Sequence, residues 1–265
     1  MLNLDTVSVT FNPGTALEVA ALRSVSLAIP EGQFVTVIGS NGAGKSTLLS
    51  AIAGAIMPNR GRIVIDGVDV TRLPTQARAR FIGRVFQDPR VGTCEVLTVE
   101  ENLALADARS GRRGFSLALG GRANRARFEE QLAGLGLGLE TKLKARIGTL
   151  SGGQRQAVSL LMATLLPMKL LLLDEHTAAL DPKAAARILT LSAEISESQR
   201  LTTLMVTHSM RHALDHGQRT VMMSGGRIVL DVAGETRAGY NVADLIALFG
   251  AASGSEVAED RLLLG

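Results

Sequence analysis

Apolar and polar positions change period repeatedly along this chain. Residues 2–10 alternate, as a strand with one covered face does, and residues 24–29 alternate likewise before Pro30-Glu31-Gly32 stops them. Residues 34–38 form a short unbroken apolar run, the mark of a strand covered on both faces. A glycine-rich turn and a helical pattern over 44–53 follow. Further strand-like runs lie at 62–65, 82–86, 170–173, 202–206, 220–223 and 228–232, and helical periodicities at 98–106, 125–134, 152–166, 182–198 and 209–215. Strands alternating with helices predict an α/β fold with a mostly parallel sheet, and the early alternating strands predict an antiparallel β edge. Residues 88–158 lack convincing strands and read as an inserted α-helical subdomain. The reading for 1–265 is therefore one domain, with a sheet core from 1–87 and 159–236. Residues 237–265 form a C-terminal helix, over 242–249, and a tail.

Composition narrows the class. Of 265 residues, 46% are hydrophobic and 20% charged, enough to build a sizeable core and too apolar for a disordered chain. Aromatics are 3%, with no Trp and only Tyr240, which leaves no stacking platform for single-stranded nucleic acid. A net charge of +3 is too small to draw a nucleic acid by itself, and none is expected as partner. The single cysteine, Cys94, excludes an intramolecular disulfide and fits a reducing compartment. The first residues lack the basic start and apolar stretch of a signal peptide. The most apolar segment, 159–173, is broken by Pro167 and Lys169 and closed by Asp174-Glu175, short of the roughly 20 apolar residues of a spanning helix. A peripheral place on the cytoplasmic face of a membrane, through a partner, is the expectation.

Several smaller patterns have ordinary structural explanations. Arg109, Arg112, Arg113, Arg122, Arg125 and Arg127 occur with no acid between Ala108 and Phe128, which reads as a solvated arm or as an arm near anionic lipid. Thr98 with Glu101 forms a capping box, and Asp181-Pro182 reads as an N-cap followed by proline at the first helical position. Gly134, Gly136 and Gly138 read as a loop between helices. His208, His212 and His216 follow an i, i+4, i+8 spacing, but His208 lies at a strand end, so a shared metal face is not expected.

Residues 39–47 carry the chemistry. Gly39-Ser40-Asn41-Gly42-Ala43-Gly44-Lys45-Ser46-Thr47 fits G-x-x-x-x-G-K-[ST] and stands between the buried strand and a helix, as a phosphate-binding loop must. Glycines let backbone N–H groups turn toward phosphates, and the helix start adds partial positive charge. Lys45 is placed to reach the β- and γ-phosphates, Ser46 to ligate Mg²⁺ and Thr47 to touch the α-phosphate. The apolar strand 170–173 ends in Asp174 and Glu175, at the strand end that faces the ligand crevice in an open α/β sheet. The first carboxylate suits Mg²⁺ and the second a general base on water. Ser151-Gly152-Gly153-Gln154 opens a long helical pattern. It is a capping box whose two glycines also leave helix-start N–H groups open to an anion.

Taken in order, GSNGAGKST, Gln87 after a strand, LSGGQ, LLLLDEHTAALD and His208 after another strand make residues 1–235 similar to the ATP-binding subunit of ABC transporters. The resemblance implies a P-loop NTPase (RecA-like) core, with ATP and Mg²⁺ sandwiched between two copies of the subunit. Ser151 and Gly153 of one copy would contact the γ-phosphate held by Lys45 of the other. Gln87 would sense Mg²⁺ and the attacking water and couple them to the inserted helices, which face the permease. His208 would hold the γ-phosphate and orient Glu175. Residues 178–181, with Asp181, would cross the dimer interface, and Phe11 would stack on adenine, where the family more often has Tyr. His176 stands where proline is usual and Ala178 where serine is common. The DEHTAALDP string with VFQDP resembles a branch of importer ATPases for tryptophan, tyrosine or other small solutes. The expected function is an ATPase powering an importer of small solutes, with transmembrane permease subunits, a solute-binding protein and a homodimeric ATP-bound state. The rival is a soluble ATPase of the same family acting on a protein or nucleoprotein assembly. The absence of a fused second cassette, a coiled coil or a zinc motif weighs against it.

Overall fold

The computed structural model describes residues 1–109 and 122–253. Its main sheet has six strands in the order β10-β9-β3-β8-β7-β6. These are β3 (Phe34–Gly39), β6 (Ile82–Val85), β7 (Leu170–Asp174), β8 (Thr202–Val206), β9 (Arg219–Ser224) and β10 (Arg227–Ala233). All neighbours are parallel except β10, which returns antiparallel to β9. Every residue of β3, β7 and β8 is buried, as expected for central strands covered on both faces. Their threonines remain satisfied. Thr36 Oγ1 meets Thr220 Oγ1 at 3.0 Å, and Thr203 Oγ1 donates to Ser196 Oγ at 2.9 Å.

The early strands form a sheet of their own rather than an edge of the first. It runs β2 (Val19–Ile29), β1 (Leu2–Phe11), β4 (Arg60–Ile65), β5 (Val68–Asp69), all antiparallel. The strand β2 begins earlier than its alternating segment, and the two-residue β5 has too few positions to show a period. Inward residues Leu2, Leu4, Val7 and Val9 meet Ile63, Ile65, β3 and helix α1 (Lys45–Ala53) in one continuous core.

Between β6 and β7 the described residues form helices and no named strand. In order they are α3 (Pro89–Gly92), α4 (Val99–Ala108), α5 (Arg122–Gly134) and α6 (Gly152–Thr164), preceded upstream by the single-turn α2 (Thr75–Arg78). Helices α4, α5 and α6 share a second core with β7 and α7 (Pro182–Ser198), built on Leu103, Phe128, Leu132, Leu160 and Ile188. Both capping boxes are made. Glu101 N donates to Thr98 Oγ1 at 3.2 Å, and Gln154 N donates to Ser151 Oγ at 3.3 Å. Asp181 caps α7 by accepting from Ala184 N at 3.0 Å. The last elements are α8 (Met210–Asp215), α9 (Gly234–Ala238) and α10 (Val242–Ser253), whose Leu245 and Phe249 close a small core with Ile38, Met210 and Met222.

The arginine cluster departs from its expectation. Arg125 pairs with Glu100 at 2.6 Å and Arg127 with Asp107 at 2.9 Å, while Arg109 donates to Met162 O at 2.9 Å. These three therefore tie α5 to α4 and α4 to α6 instead of forming a free basic arm. The acids lie outside the arginine run in sequence, which is why the run looks unbalanced. Arg112, Arg113 and the Arg122 side chain lie outside the described residues. No helix among the described residues is long and apolar enough to cross a membrane.

Candidate functional site

Parallel pairing brings three strand ends to one edge. Val206 is the register partner of both Val37 and Asp174, so Gly39, Asp174-Glu175 and His208 emerge side by side. From Gly39 the chain turns through Gly42 (φ +77°) and Gly44 (φ +99°) into α1. The loop tolerates no side chain at two of its glycines. A Cβ on Gly39 would overlap Met223 O, and one on Gly44 would lie 2.5 Å from Ala21 O. Gly42 has open space around it. Lys45 is buried beneath this loop, and its Nζ donates to Gly39 O at 2.7 Å and to Ser40 O at 3.1 Å. The ammonium thus braces the loop from which it is presented.

A cleft of about 700 Å³ opens above the loop. Phe11, residues 41–47, Gln87 and Glu175 all line it, with Phe11 at its antiparallel-sheet end. Ser46 Oγ donates to Asp174 Oδ1 at 3.3 Å. Two hard oxygens held side by side, one of them anionic, are a donor set that fits Mg²⁺. Glu175 stands with Oε1 3.8 Å from Lys45 Nζ and Oε2 3.9 Å from His208 Nδ1. Its φ of +43° is in the left-handed region, a strain of about 1 kcal/mol or more for a residue with a side chain. His208 lies beyond Glu175 in an adjoining depression with Thr177, Ala178 and Leu180.

Ser151, Gly152, Gly153, Gln154 and Asp181 are not among the residues lining the cleft. Instead the start of α6 packs on the start of α7. A Cβ on Gly153 would come within 2.8 Å of Ala184 Cβ, and one on Gly152 within 3.3 Å of Leu180 Cδ2. The two glycines therefore also serve close helix packing, a role invisible to capping logic. Gln154 holds its own cap and donates to Leu137 O at 3.4 Å.

One site neighbour escaped the sequence reading. Arg84, in the interior of β6, pairs with Asp174 Oδ2 at 2.7 Å and lies 4.7 Å over the Phe86 ring, next to Gln87. A lone arginine in a short apolar strand was the available signal. His176 is 1% exposed, and its Nε2 lies 2.9 Å from Ser192 Oγ on α7.

Burial holds the His176 imidazole down to about 3, with the charges of His216 and His212 adding to the effect. Burial lowers His212 and His216 as well. An unfolded histidine titrates near 6.5, so acid protonates the unfolded chain first and stability is lost as pH falls below that value. For His176 alone the loss from pH 7.5 to 5.5 is about 1.4 kcal/mol, because the folded group stays neutral throughout. Urea unfolding at the two pH values, compared between wild type and His176→Gln, measures it; equal pH dependence in both would contradict it.

A glycine loop bracing a buried lysine, a paired serine and aspartate and a second carboxylate at the sheet's carboxyl edge define a nucleoside-triphosphatase of the P-loop class. A model of the ABC transporter family matches residues 22–178. The chain is 41% identical over 254 residues to a tyrosine transport ATP-binding protein of Clostridioides difficile, covering 94% of this chain and 98% of that protein. It is 37% identical to a phosphonates import ATP-binding protein of a Synechococcus strain, over 87% of this chain and 84% of the relative. The dimeric post-hydrolysis structure of an ATP-binding cassette bound to ADP and Pi superimposes with a TM-score of 0.75 at 31% identity, covering 88% of this chain and 98% of the other. The chain belongs to the ABC transporter ATP-binding family. It is the ATP-binding and ATP-hydrolysing subunit that powers such a transporter, with MgATP as substrate and a membrane permease as partner.

Proposed function

We propose that this subunit drives import of a small solute, with tyrosine as the first substrate to test. The observation that carries the enzymatic part is Glu175 poised between Lys45 and His208 at the mouth of the phosphate loop. Glu175 takes the proton of the attacking water, and Lys45 and His208 neutralise charge on the γ-phosphoryl oxygens. Ser46 and Asp174 would hold Mg²⁺, which supplies charge stabilisation to the phosphates. Phe11 would stack on the adenine ring, and Gln87 would couple the cleft to the inserted helices of residues 88–158. The core comprises 1–87 and 159–236, followed by the C-terminal segment 237–265. Ser151, Gly152, Gly153, Gln154 and Asp181 lie off the cleft of their own chain, in keeping with Ser151 and Gly153 contacting the γ-phosphate held by a second copy and residues 178–181 crossing the interface between the two. The working unit is a homodimer closed around two nucleotides, docked on the cytoplasmic face of the membrane and fed by a solute-binding protein.

The substrate rests on the relative of nearly equal length, which is described for tyrosine transport. Host cells carrying Lys45→Met in this chain are expected to lose uptake of labelled tyrosine while growth-matched parental cells retain it. Unchanged tyrosine uptake, with the variant subunit still recovered with its permease from solubilised membranes, overturns the substrate assignment and leaves the ATPase in place.

A further inference from the structure

Glu175 is a residue with a side chain in a left-handed backbone conformation, at the junction of a buried strand and an exposed turn. Such a conformation persists only where the surroundings impose it. On its N-terminal side the strand does so, with Glu175 N donating to Val206 O at 3.1 Å. On its C-terminal side the turn's own backbone bonds, Ala178 N to Glu175 O at 3.0 Å and Leu180 N to Thr177 O at 3.2 Å, close it on itself and not on the core. The next side chain, His176, points away from the cleft and into the protein, where it is 1% exposed.

Its partner there can be assigned from the hydrogen-bond network. Ser192 Oγ donates its one hydrogen to Ile188 O at 2.8 Å, so it accepts from His176 Nε2 at 2.9 Å. His176 is therefore the Nε2–H tautomer, and the hydrogen bond runs from the turn into the middle of α7. Ser192 is itself held, since Ser196 Oγ donates to its carbonyl at 2.7 Å and Thr203 Oγ1 of β8 donates to Ser196 Oγ. A chain of buried hydroxyls thus anchors the imidazole to both α7 and the central sheet.

We propose that His176 is a positioning residue for Glu175, its Nε2–H···Ser192 bond clamping the turn so that the carboxylate stays between Lys45 and His208. The chemistry of the clamp requires a hydrogen-bond donor at the Nε2 position and an acceptor at residue 192.

The inference rests on Glu175 being the base, and the test separates the two. In the full chain, Ser192→Ala removes the acceptor while adding a good helix former on α7. It is expected to lower kcat for ATP by about tenfold, within the loss of about a hundredfold that a 1 Å misplacement can cause, with KM for MgATP within about twofold of wild type. His176→Ala should do the same, and His176→Gln, whose amide can donate to Ser192 Oγ, should restore most of the rate. The deciding measurement places Ser192→Ala in a Glu175→Gln background. A clamp that acts through the carboxylate leaves the residual rate there unchanged. An equal fold-loss in both backgrounds, or a parental kcat for Ser192→Ala, overturns the clamp. Parental turnover by Glu175→Gln alone would instead remove the base assignment on which it depends.

Discussion

Glu175→Gln is expected to lower ATP turnover by about 10²- to 10⁴-fold, the range that a positioned general base contributes. The substitution keeps the shape of the side chain and its place 3.8 Å from Lys45 Nζ and 3.9 Å from His208 Nδ1, while removing the group that accepts water's proton. When its 3.8 Å ion pair with Glu175 is lost, Lys45 keeps the carbonyls of Gly39 and Ser40 as partners. Nucleotide binding should therefore survive, and ATP should accumulate uncleaved in the closed homodimer. Single-turnover hydrolysis measures the first effect and size-exclusion chromatography with MgATP the second. A variant that hydrolyses ATP at the parental rate would return Glu175 to the status of an acidic turn residue.

Lys45→Met is expected to be comparably severe by a different route. The ammonium is the buried cation of the loop, 5% exposed, and it donates to two loop carbonyls besides facing the cleft. Methionine fills similar volume but satisfies neither carbonyl and offers nothing to a phosphate oxygen. Removing one preorganised donor to transition-state charge costs about 10²- to 10³-fold in rate. Here ground-state binding falls too, because each hydrogen bond to a charged group contributes about 1.5–3 kcal/mol. Titration with a fluorescent ATP analogue and steady-state hydrolysis should both report the loss. Retained nucleotide affinity would mean that the backbone N–H groups and helix start of the loop hold the phosphates without the lysine.

The two variants differ in what remains, and that difference distinguishes the roles. Glu175→Gln should bind and not cleave, whereas Lys45→Met should do neither. Both residues were readable from local pattern alone, because each sits at a fixed offset from a buried apolar strand: Lys45 six residues after Gly39, Glu175 directly after Asp174. The helices α4, α6 and α7 were likewise readable, since their caps at Thr98, Ser151 and Asp181 are written into adjacent residues. What escaped was whatever depends on a distant segment. The pairing of Arg84 with Asp174 spans ninety positions, and Arg125 and Arg127 find their acids on the preceding helix α4. The contact of His176 with Ser192 joins a turn to the far side of a helix.

Period, capping and the phosphate-loop spacing thus determined the fold class, the order of its elements and the residues of the phosphate loop that line the cleft, because each is a matter of neighbours in the chain. Only the tertiary structure decided that the early strands make a separate sheet. It alone decided too that Arg125 and Arg127 of the arginine run pair with acids on α4 and that Gly152 and Gly153 are demanded by the close approach of α6 to α7. It also placed Ser151 and Gly153 away from the cleft built by Lys45 and Glu175. The physical reason is common to all of these. Burial and charge pairing are set by which surfaces face each other after folding, and a linear pattern shows a residue's own preference without showing what will stand opposite it.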